Sequence, residues 1–330
     1  MLAKALRQQG HNVFTVGIED SFDAVIHHPF TTAQLLRRIA ETGFHADVLF
    51  YCDNGNMPLL LDPQYVPLPS IWYSIDTYCN PWHIPYGHAF DLVLVAQKDF
   101  VRLFVDEGIQ SHWFPLFSPT PYSVSAAEKL TRDIPVSFVG TLGHKNNPDR
   151  KPFLKAFRER HPLFVHSGAF MPVFARSHIV LNQSAFSEVN FRCFEAISCG
   201  AALLTERCNN GLEELFVPGE EILPPYTRCD AAGAAAIAAQ ALANPQRLKE
   251  IAKAGLAALH ARHTDSIRAA MLISLFSHLL ASRTHENRLS CELERRDTLV
   301  RGAFGILASD LDSPQLTAHR NFYARLATQR

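Results

Sequence analysis

An arginine and a glutamate lie three residues apart in NFRCFEAISCGAALLTE, which covers residues 190–206. The pattern predicts a helix that begins after Asn190 and ends at Gly200, followed at once by a buried strand. Arg192 then lies in the first helical turn, where the helix dipole disfavours a cation by roughly a few tenths of a kcal/mol unless an anion lies in front of it. Glu195 carries a carboxylate that can accept hydrogen bonds from both hydroxyls of a ribose. The pair predicts a site for a phosphate and a ribose, or else an ordinary ion pair on one helix.

A second candidate site is the stretch VSFVGTLGHKNNPDRK, residues 136–151. An apolar strand leads into Gly140, where the absence of a side chain lets the backbone approach a ligand closely. Lys145 and Arg150 follow and could neutralise phosphate oxygens. The stretch fits neither the Walker pattern nor G-x-G-x-x-G, so an ordinary turn between a strand and a helix is the alternative.

A third candidate site is WYSIDTYCNPWHIPYGHAFD, residues 72–91. Asp76 ends an apolar strand, and His83 follows in a turn rich in proline and aromatic residues. A carboxylate at a strand end beside a histidine suits general acid–base catalysis or the binding of an acceptor hydroxyl. The alternatives are an aspartate that caps the next helix and a histidine that is satisfied within the core.

Three residues in or near the first stretch complete the set of candidates. Glu188 precedes Arg192 by four residues and Glu195 by seven, so the three share one face if the helix begins early. Asn190 can cap that helix and leave backbone N–H groups to face an anion. Gly211 begins a short helix after the strand AALLTE, and its backbone N–H could contact a sugar.

The elements around these residues alternate between apolar strands and amphipathic helices, which is the pattern of parallel sheets covered on both faces. The pattern runs through residues 1–117, is interrupted by the Ser- and Pro-rich stretch 118–129, and then restarts. We therefore predict an α/β fold of two Rossmann-like domains facing a cleft, with ligands beyond the carboxyl ends of the strands. The predicted domains are residues 1–120 and 121–283, followed by a charged helical tail, residues 284–330.

The composition excludes several classes of protein. The 31 basic and 32 acidic residues give a net charge of −1, so no basic excess points to nucleic acid or to a membrane surface. The N-terminus has no apolar signal core, and no run of about 18 apolar residues predicts a membrane span. Seven cysteines without a C-x-x-C motif indicate reduced thiols in a cytoplasmic protein. The 16 histidines are scattered, so no metal site is predicted.

The quoted segments resemble a known family. FVGTL, NFRCFEAISCGAALLTE with GLEELFVPGEEIL, and ANPQRLKEIAKAGLAALHARHT resemble the C-terminal domain of GT-B glycosyltransferases of the spore-maturation-protein CgeB-like type, over roughly residues 134–280. WYSIDTYCNPWH and FDLVLVAQKDFVRLF resemble the N-terminal domain found with it. The resemblance implies transfer of a sugar from a nucleotide-diphosphate sugar to an acceptor hydroxyl on a glycan, a protein or a small molecule. No cofactor and no divalent metal are expected.

The resemblance also assigns roles to residues. Glu195 would bind the donor ribose, while the helix-start Arg192, together with Gly140, Thr141 and Arg150, would face the diphosphate. Related retaining enzymes carry two glutamates separated by seven residues, but Glu188 is one residue closer, a rotation of about 100° on a helix. The stereochemical outcome is therefore left open.

The chain also begins inside the first expected helix, so the first strand of the N-terminal domain is expected to be missing. Two alternatives follow from these departures. One is a degenerate glycosyltransferase that binds a nucleotide or a protein. The other is a sugar-nucleotide epimerase or hydrolase on the same fold.

Overall fold

The computed structural model describes residues 1–53, 55, 57–118, 121–143, 146–309 and 317–328. The chain divides into two compact units. The central unit comprises residues 116–268 together with Met1–Leu2, and the terminal unit comprises residues 3–115 and 269–330. The chain thus leaves the terminal unit once and returns to it.

Each unit contains one four-stranded parallel sheet. The strand order is β3-β4-β5-β6 in the terminal unit and β10-β9-β7-β8 in the central unit, and β1 and β2 form a separate parallel pair. The strands are β1 (Val16–Gly17), β2 (Ala24–Val25), β3 (Leu49–Cys52), β4 (Ser70–Ser74), β5 (Leu92–Val95), β6 (Ser111–Trp113), β7 (Ile134–Val139), β8 (Phe164–His166), β9 (Ser177–Asn182) and β10 (Ala202–Thr205).

Helices connect the strands and form the end of the chain. None of those in the described residues is long and apolar enough to cross a bilayer. The α-helices are α1 (Leu2–Gln8), α2 (Thr32–Ala40), α3 (His83–Gly87), α4 (Val101–Asp106), α5 (Val124–Ala127), α6 (Arg150–Arg158), α7 (Met171–Phe174), α8 (Phe191–Ser198), α9 (Leu212–Leu215), α10 (Ala231–Ala243), α11 (Pro245–Arg262), α12 (Asp265–Ser282), α13 (Thr284–Ser290), α14 (Leu293–Ser309) and α15 (Thr317–Thr328).

The core of the central unit lies between its sheet and the helices α6, α10 and α11. Strands β7, β9 and β10 are buried along nearly their whole length because both faces of the sheet are covered. Phe138, Phe157 and Leu204 are fully buried, and each such side chain contributes about 1.5–3 kcal/mol through its burial. The alanine-rich α10 packs closely on this core through Ala234 and Ala238. This packing fixes the carboxyl ends of the strands relative to one another.

The core of the terminal unit is aromatic and is completed by the end of the chain. Trp72 on β4 lies in a cluster with Tyr86 and Phe90, and α14 and α15 add Phe304 and Tyr323 to it. The Phe304 and Tyr323 rings stack at a centroid distance of 5.7 Å. Residues 284–309 and 317–328 are therefore part of this unit's core.

Most of the predicted elements are present, and the α/β class with two parallel sheets is confirmed. The pattern of residues 11–20 predicts a strand over the whole stretch, but only Val16–Gly17 forms one. The preceding backbone at Thr15 donates its N–H to the Asp23 carboxylate instead of to a strand. The chain passes between the two units at residues 115–116 and 268–269, and the domain boundaries at 120–121 and 283–284 stay a prediction.

Candidate functional site

The carboxyl ends of β7, β9 and β10 meet at one edge of the central sheet, and α8 begins there. Helix α8 starts at Phe191, and Asn190 occupies the N-cap position with an extended backbone, φ −92° and ψ 171°. The Asn190 side chain forms no capping hydrogen bond, and its Nδ2 donates to Glu188 Oε1 at 3.4 Å. The first turn of α8 therefore faces this edge without a side-chain cap.

Arg192 is held across the ends of two strands. Its Nε donates to the Val139 carbonyl at 2.8 Å, and its Nη1 donates to Asn182 Oδ1 at 2.7 Å. The guanidinium also lies 4.6 Å from the ring centroid of Phe138. Burial, with a smaller contribution from the Arg150 charge, lowers the pKa of Arg192 to about 10, so the group stays charged at neutral pH. The result is a fixed cation at the sheet edge.

Gly140 makes this placement possible. A Cβ atom at Gly140 would lie 2.5 Å from Arg192 Nη2 and 3.2 Å from the Phe138 ring. Any side chain there would displace the guanidinium, so the glycine predicted for close backbone approach to a ligand first of all accommodates Arg192.

Glu195 does not form the ion pair that the simpler interpretation requires. No ion pair or hydrogen bond joins its carboxylate to any residue that the structure describes, Arg192 included. The side chain is half-buried, and this burial raises its pKa, while the nearby Arg192 charge lowers it. The carboxylate is thus only partly desolvated, and it lacks a described protein partner, which leaves it available to a ligand.

Arg150 has a different environment from Arg192. Its Nε donates to Gln183 Oε1 at 2.9 Å, its Nη1 to the Thr141 carbonyl at 2.9 Å, and its Nη2 to the Gln183 carbonyl at 3.2 Å. The side chains of Asn147 and Gln183 form a reciprocal amide pair beside it. Arg150 therefore joins the loops after β7 and β9, and its charge adds to the positive edge. Lys145 lies outside the described residues.

Two carboxylates hold the loop between β9 and α8. Glu188 accepts from the backbone N–H of Ala185 at 3.1 Å and from that of Phe186 at 2.6 Å. Glu206 accepts from the N–H of Ser184 at 2.8 Å and also from its hydroxyl. Because α8 begins only at Phe191, Glu188 lies in the loop and does not share a helix face with Arg192 and Glu195.

Ser187 and Ala185 of this loop are hydrogen-bonded to residues from elsewhere in the chain. Arg228 Nη1 donates to Ser187 Oγ at 2.7 Å and its Nη2 to the Ala185 carbonyl, while Asn210 Nδ2 donates to the Ser187 carbonyl at 3.1 Å. Ser187 has a φ of 59°, an uncommon value for a residue with a side chain. Gly211 is buried with φ 82°, and its N–H donates to the Asn209 carbonyl. The loop that carries α8 is therefore rigidly held.

In the terminal unit, Asp76 lies just beyond the carboxyl end of β4. It is half-buried, its Oδ1 accepts from the Tyr78 hydroxyl at 2.8 Å, and its backbone N–H donates to Asp53 Oδ2 at 3.0 Å. Asp53 follows β3 and also accepts from the N–H of Ile75 at 3.1 Å. Asp53 thus orders the turn that carries Asp76.

His83 lies in the aromatic core beneath this turn. Its side chain has no solvent exposure, and its Nδ1 lies 2.8 Å from Ser74 Oγ. Burial lowers its pKa to about 4, against a smaller opposing effect of Asp53, whose Oδ2 lies 3.7 Å from His83 Nε2. The imidazole is therefore neutral at physiological pH and has no direct access to an acceptor.

Several residues that shape both sites are not among the predicted candidates. Asn182 ends β9, Gln183 follows it, and Asp53 follows β3. A polar pair directly after an apolar strand was the available signal, because such residues lie at the sheet edge where ligands bind. Arg228 carried no such signal, because its partners lie about forty residues earlier in the chain. Among the described residues, no group of three or more potential metal ligands occurs.

Comparison with known proteins identifies similar chains. Residues 123–274, a little under half of the chain, match the model of a family described as glycosyl transferase-like. No protein of curated function matches by sequence.

Several solved structures are similar over most of the chain. They include HepE of Anabaena with UDP and glucose (14% identity, TM-score 0.55, 74% of this chain and 82% of that chain), sucrose-phosphate synthase of Thermosynechococcus elongatus (14%, 0.60, 85% and 92%) and a glycosyltransferase of Rickettsia africae (10%, 0.59, 84% and 93%). At these identities the likeness shows the fold, which is that of GT-B glycosyltransferases.

Proposed function

We propose that this protein is a glycosyltransferase that moves a sugar from a nucleotide-diphosphate sugar to an acceptor hydroxyl. The observation that carries the proposal is the Glu195 carboxylate, half-buried and without a described protein partner, beside the fixed Arg192 cation. A ribose supplies two hydroxyl donors for the carboxylate, and a diphosphate supplies the anion for the guanidinium. The similarity of residues 123–274 to a glycosyl transferase-like family supports this class of ligand.

The proposed reaction breaks the bond between the anomeric carbon and the diphosphate oxygen and forms one to the acceptor oxygen. The leaving diphosphate gains negative charge, which Arg192 and the uncapped first turn of α8 stabilise. We propose that these groups suffice without a divalent metal. HepE was crystallised with UDP, with UDP-glucose and with UDP and glucose, which makes UDP the first nucleotide to test.

The acceptor is proposed to bind at the terminal unit near Asp76, whose carboxylate would take the proton of the acceptor hydroxyl. The acceptor class stays open between a glycan, a protein and a small molecule. We assign the chain to the CgeB-like type on the segments quoted above. We also propose a cytoplasmic location, where the seven cysteines would stay reduced.

The test is calorimetric titration of UDP into the wild type, Glu195→Ala and the control Glu220→Ala. Glu220 is exposed and lies away from the sheet edge. Loss of one charge-assisted hydrogen bond, about 1.5–3 kcal/mol, should raise the Kd of Glu195→Ala at least tenfold. Equal affinity in all three proteins would refute the ribose assignment.

Product analysis then separates the alternatives. Consumption of UDP-sugar that requires an acceptor, and that persists in EDTA, supports the proposed transferase. Consumption without an acceptor indicates an epimerase or hydrolase. Binding without any turnover indicates a degenerate binding protein.

A further inference from the structure

A cavity of about 340 Å³ opens at the amino-terminal edge of the central sheet. Arg132, which precedes β7, His178 at the start of β9 and Gly200 just before β10 all line it. Because the strands are parallel, this edge lies opposite the one that carries Arg192 and Glu195. The cavity is therefore separate from the proposed donor site.

Its floor is apolar and is formed by two helices. Leu248 and Leu256 of α11 are 4% and 1% exposed, and Ala127 of α5 is also buried. Ala252 is half-buried between the two leucines. The volume is at the lower end of the roughly 300–1,000 Å³ that is typical of small-molecule sites. The floor suits a hydrocarbon or aromatic body.

The rim has an excess of positive charge. Arg132, Lys249 and Lys253 line the cavity together with a single carboxylate, Glu128. Glu128 Oε1 lies 2.9 Å from Lys253 Nζ, so this pair is neutral as a unit. Among the described rim residues, Arg132 and Lys249 remain as uncompensated cations, in a chain whose net charge is −1.

Of these two cations, Arg132 has only carbonyl partners within the described residues. Its Nη1 donates to the Ser177 carbonyl at 2.6 Å, and its Nη2 donates to the Cys199 carbonyl at 3.0 Å. Neutral carbonyls satisfy its hydrogen bonds without cancelling its charge. Lys249 is exposed and has no hydrogen bond or ion pair to any described residue.

We propose that this cavity binds a small amphipathic carboxylate. The apolar body packs on Leu248, Ala252 and Leu256, and the carboxylate lies between Lys249 and Arg132. The two cations favour an amphipathic carboxylate over a neutral molecule of the same shape. The apolar floor favours the same carboxylate over a small anion without a hydrocarbon body.

The experiment uses octanoate as the probe, with 1-octanol and acetate as controls for the charge and for the hydrocarbon body. Titrations are made into the wild type, Lys249→Glu, the cavity-filling Ala252→Phe and the matched control Lys129→Glu, which is exposed and does not line the cavity. We expect octanoate to bind more tightly than both controls, and its Kd to rise at least tenfold in Lys249→Glu and in Ala252→Phe. Lys129→Glu should match the wild type. UDP affinity, measured in parallel, should be unchanged in all of them, because the donor edge is untouched.

Three results would overturn the proposal. They are binding of octanol as tight as that of octanoate, no binding of octanoate to the folded wild type, and an unchanged Kd for octanoate in Lys249→Glu. Sedimentation of the same variants tests the other occupant, a second copy of the chain. A mass that falls from dimer to monomer in Ala252→Phe would assign the cavity to an interface and refute the carboxylate site.

Discussion

At the scale of single residues, Arg150 and Arg192, at the carboxyl edge of the central sheet, should respond differently to substitution. Arg150 is buried, and its three guanidinium nitrogens donate to the loops after β7 and β9. Arg150→Ala removes these hydrogen-bond donors from the Gln183 amide oxygen and from the Thr141 carbonyl. We expect a loss of about 2–4 kcal/mol in the free energy of unfolding, with a UDP affinity reduced only severalfold. Urea unfolding and calorimetry measure the two quantities.

Arg158→Ala is the matched control, since Arg158 is an exposed arginine on the same helix. If Arg150→Ala kept wild-type stability and lost most of its UDP affinity, Arg150 would be a diphosphate ligand, as the resemblance implies, and not a structural group.

Buried histidines make a pH prediction. The pKa of His83 falls from its ordinary value of 6.5 to about 4 in the folded protein because of burial, so protonation favours unfolding. His83 therefore stabilises the fold fully above pH 6.5, and this contribution, roughly 3 kcal/mol, is lost as the pH falls towards 4. His263, whose pKa is also lowered to about 4, adds a loss over the same range.

Unfolding midpoints between pH 7 and pH 4 measure this effect. In His83→Gln the decline should be shallower than in the wild type, while His45→Gln, at an exposed position, should follow the wild type. Parallel curves for all three proteins would show that His83 titrates normally.

The sequence predicts some of the residue types at the carboxyl edge of the central sheet, but not their hydrogen-bond partners. Arg192 and Gly140 lie at that edge, because a strand followed by a glycine or a helix start fixes that position. The sequence could not show that Arg150 would be hydrogen-bonded to Gln183, 33 residues away. It also could not show that the rings of Trp72 and Trp82 would pack against His83. Hydrogen-bond partners of this kind depend on packing, which periodicity does not encode.

At the scale of elements, the loop between β9 and α8 determines where Arg192 and Glu195 lie. Glu188 accepts two backbone N–H groups of this loop, and Glu188→Gln replaces one acceptor oxygen with a donor. We expect a loss of about 1–3 kcal/mol in the free energy of unfolding and a severalfold rise in the Kd for UDP, as the start of α8 loosens.

Glu159→Gln, at an exposed position after α6, controls for the loss of a negative charge. Glu188 is also a candidate catalytic residue from the sequence, and a catalytic role makes a different prediction for the same variant. Under it, kcat would fall by about a hundredfold or more while the unfolding midpoint stayed at the wild-type value.

Long apolar elements were predictable, and short ones were not. Strands β4, β5, β7 and β9 lie within residues 70–77, 91–97, 134–142 and 177–184, where mostly apolar runs predict strands. The four-residue helices α5, α7 and α9 have too few residues for a helical period to show. Helix α5 even lies within the stretch predicted as a linker.

At the scale of the whole molecule, the chain returns to its first unit through contacts that local sequence does not reveal. Arg288 on α13 is fully buried, and its Nε donates to Asp91 Oδ1 at 3.0 Å across 197 positions. It also donates to the carbonyls of Gln64, Val66 and Leu68. The charged composition of residues 284–330 predicted a helical tail, but one arginine among many gave no sign that it would be the buried one.

Removing Arg288 should destabilise the terminal unit selectively. Arg288→Ala leaves the Asp91 carboxylate buried without its cation and three carbonyls without a donor, which should cost about 3–5 kcal/mol. Trp72, Trp82 and Trp113 are the three tryptophans of the chain, and all lie in this unit, so tryptophan fluorescence in urea reports its unfolding. We expect the urea midpoint to fall by about 1–5 M for an m-value of about 1–3 kcal/mol/M. Arg295→Ala, at an exposed position on α14, should change it little. UDP affinity in the absence of urea should stay within about twofold of the wild type, because the proposed donor site lies in the central unit.

Two outcomes would contradict this prediction. A urea midpoint equal to that of Arg295→Ala would show that the buried pair of Arg288 and Asp91 contributes nothing to stability. A parallel loss of UDP binding would show that the proposed donor site depends on the terminal unit.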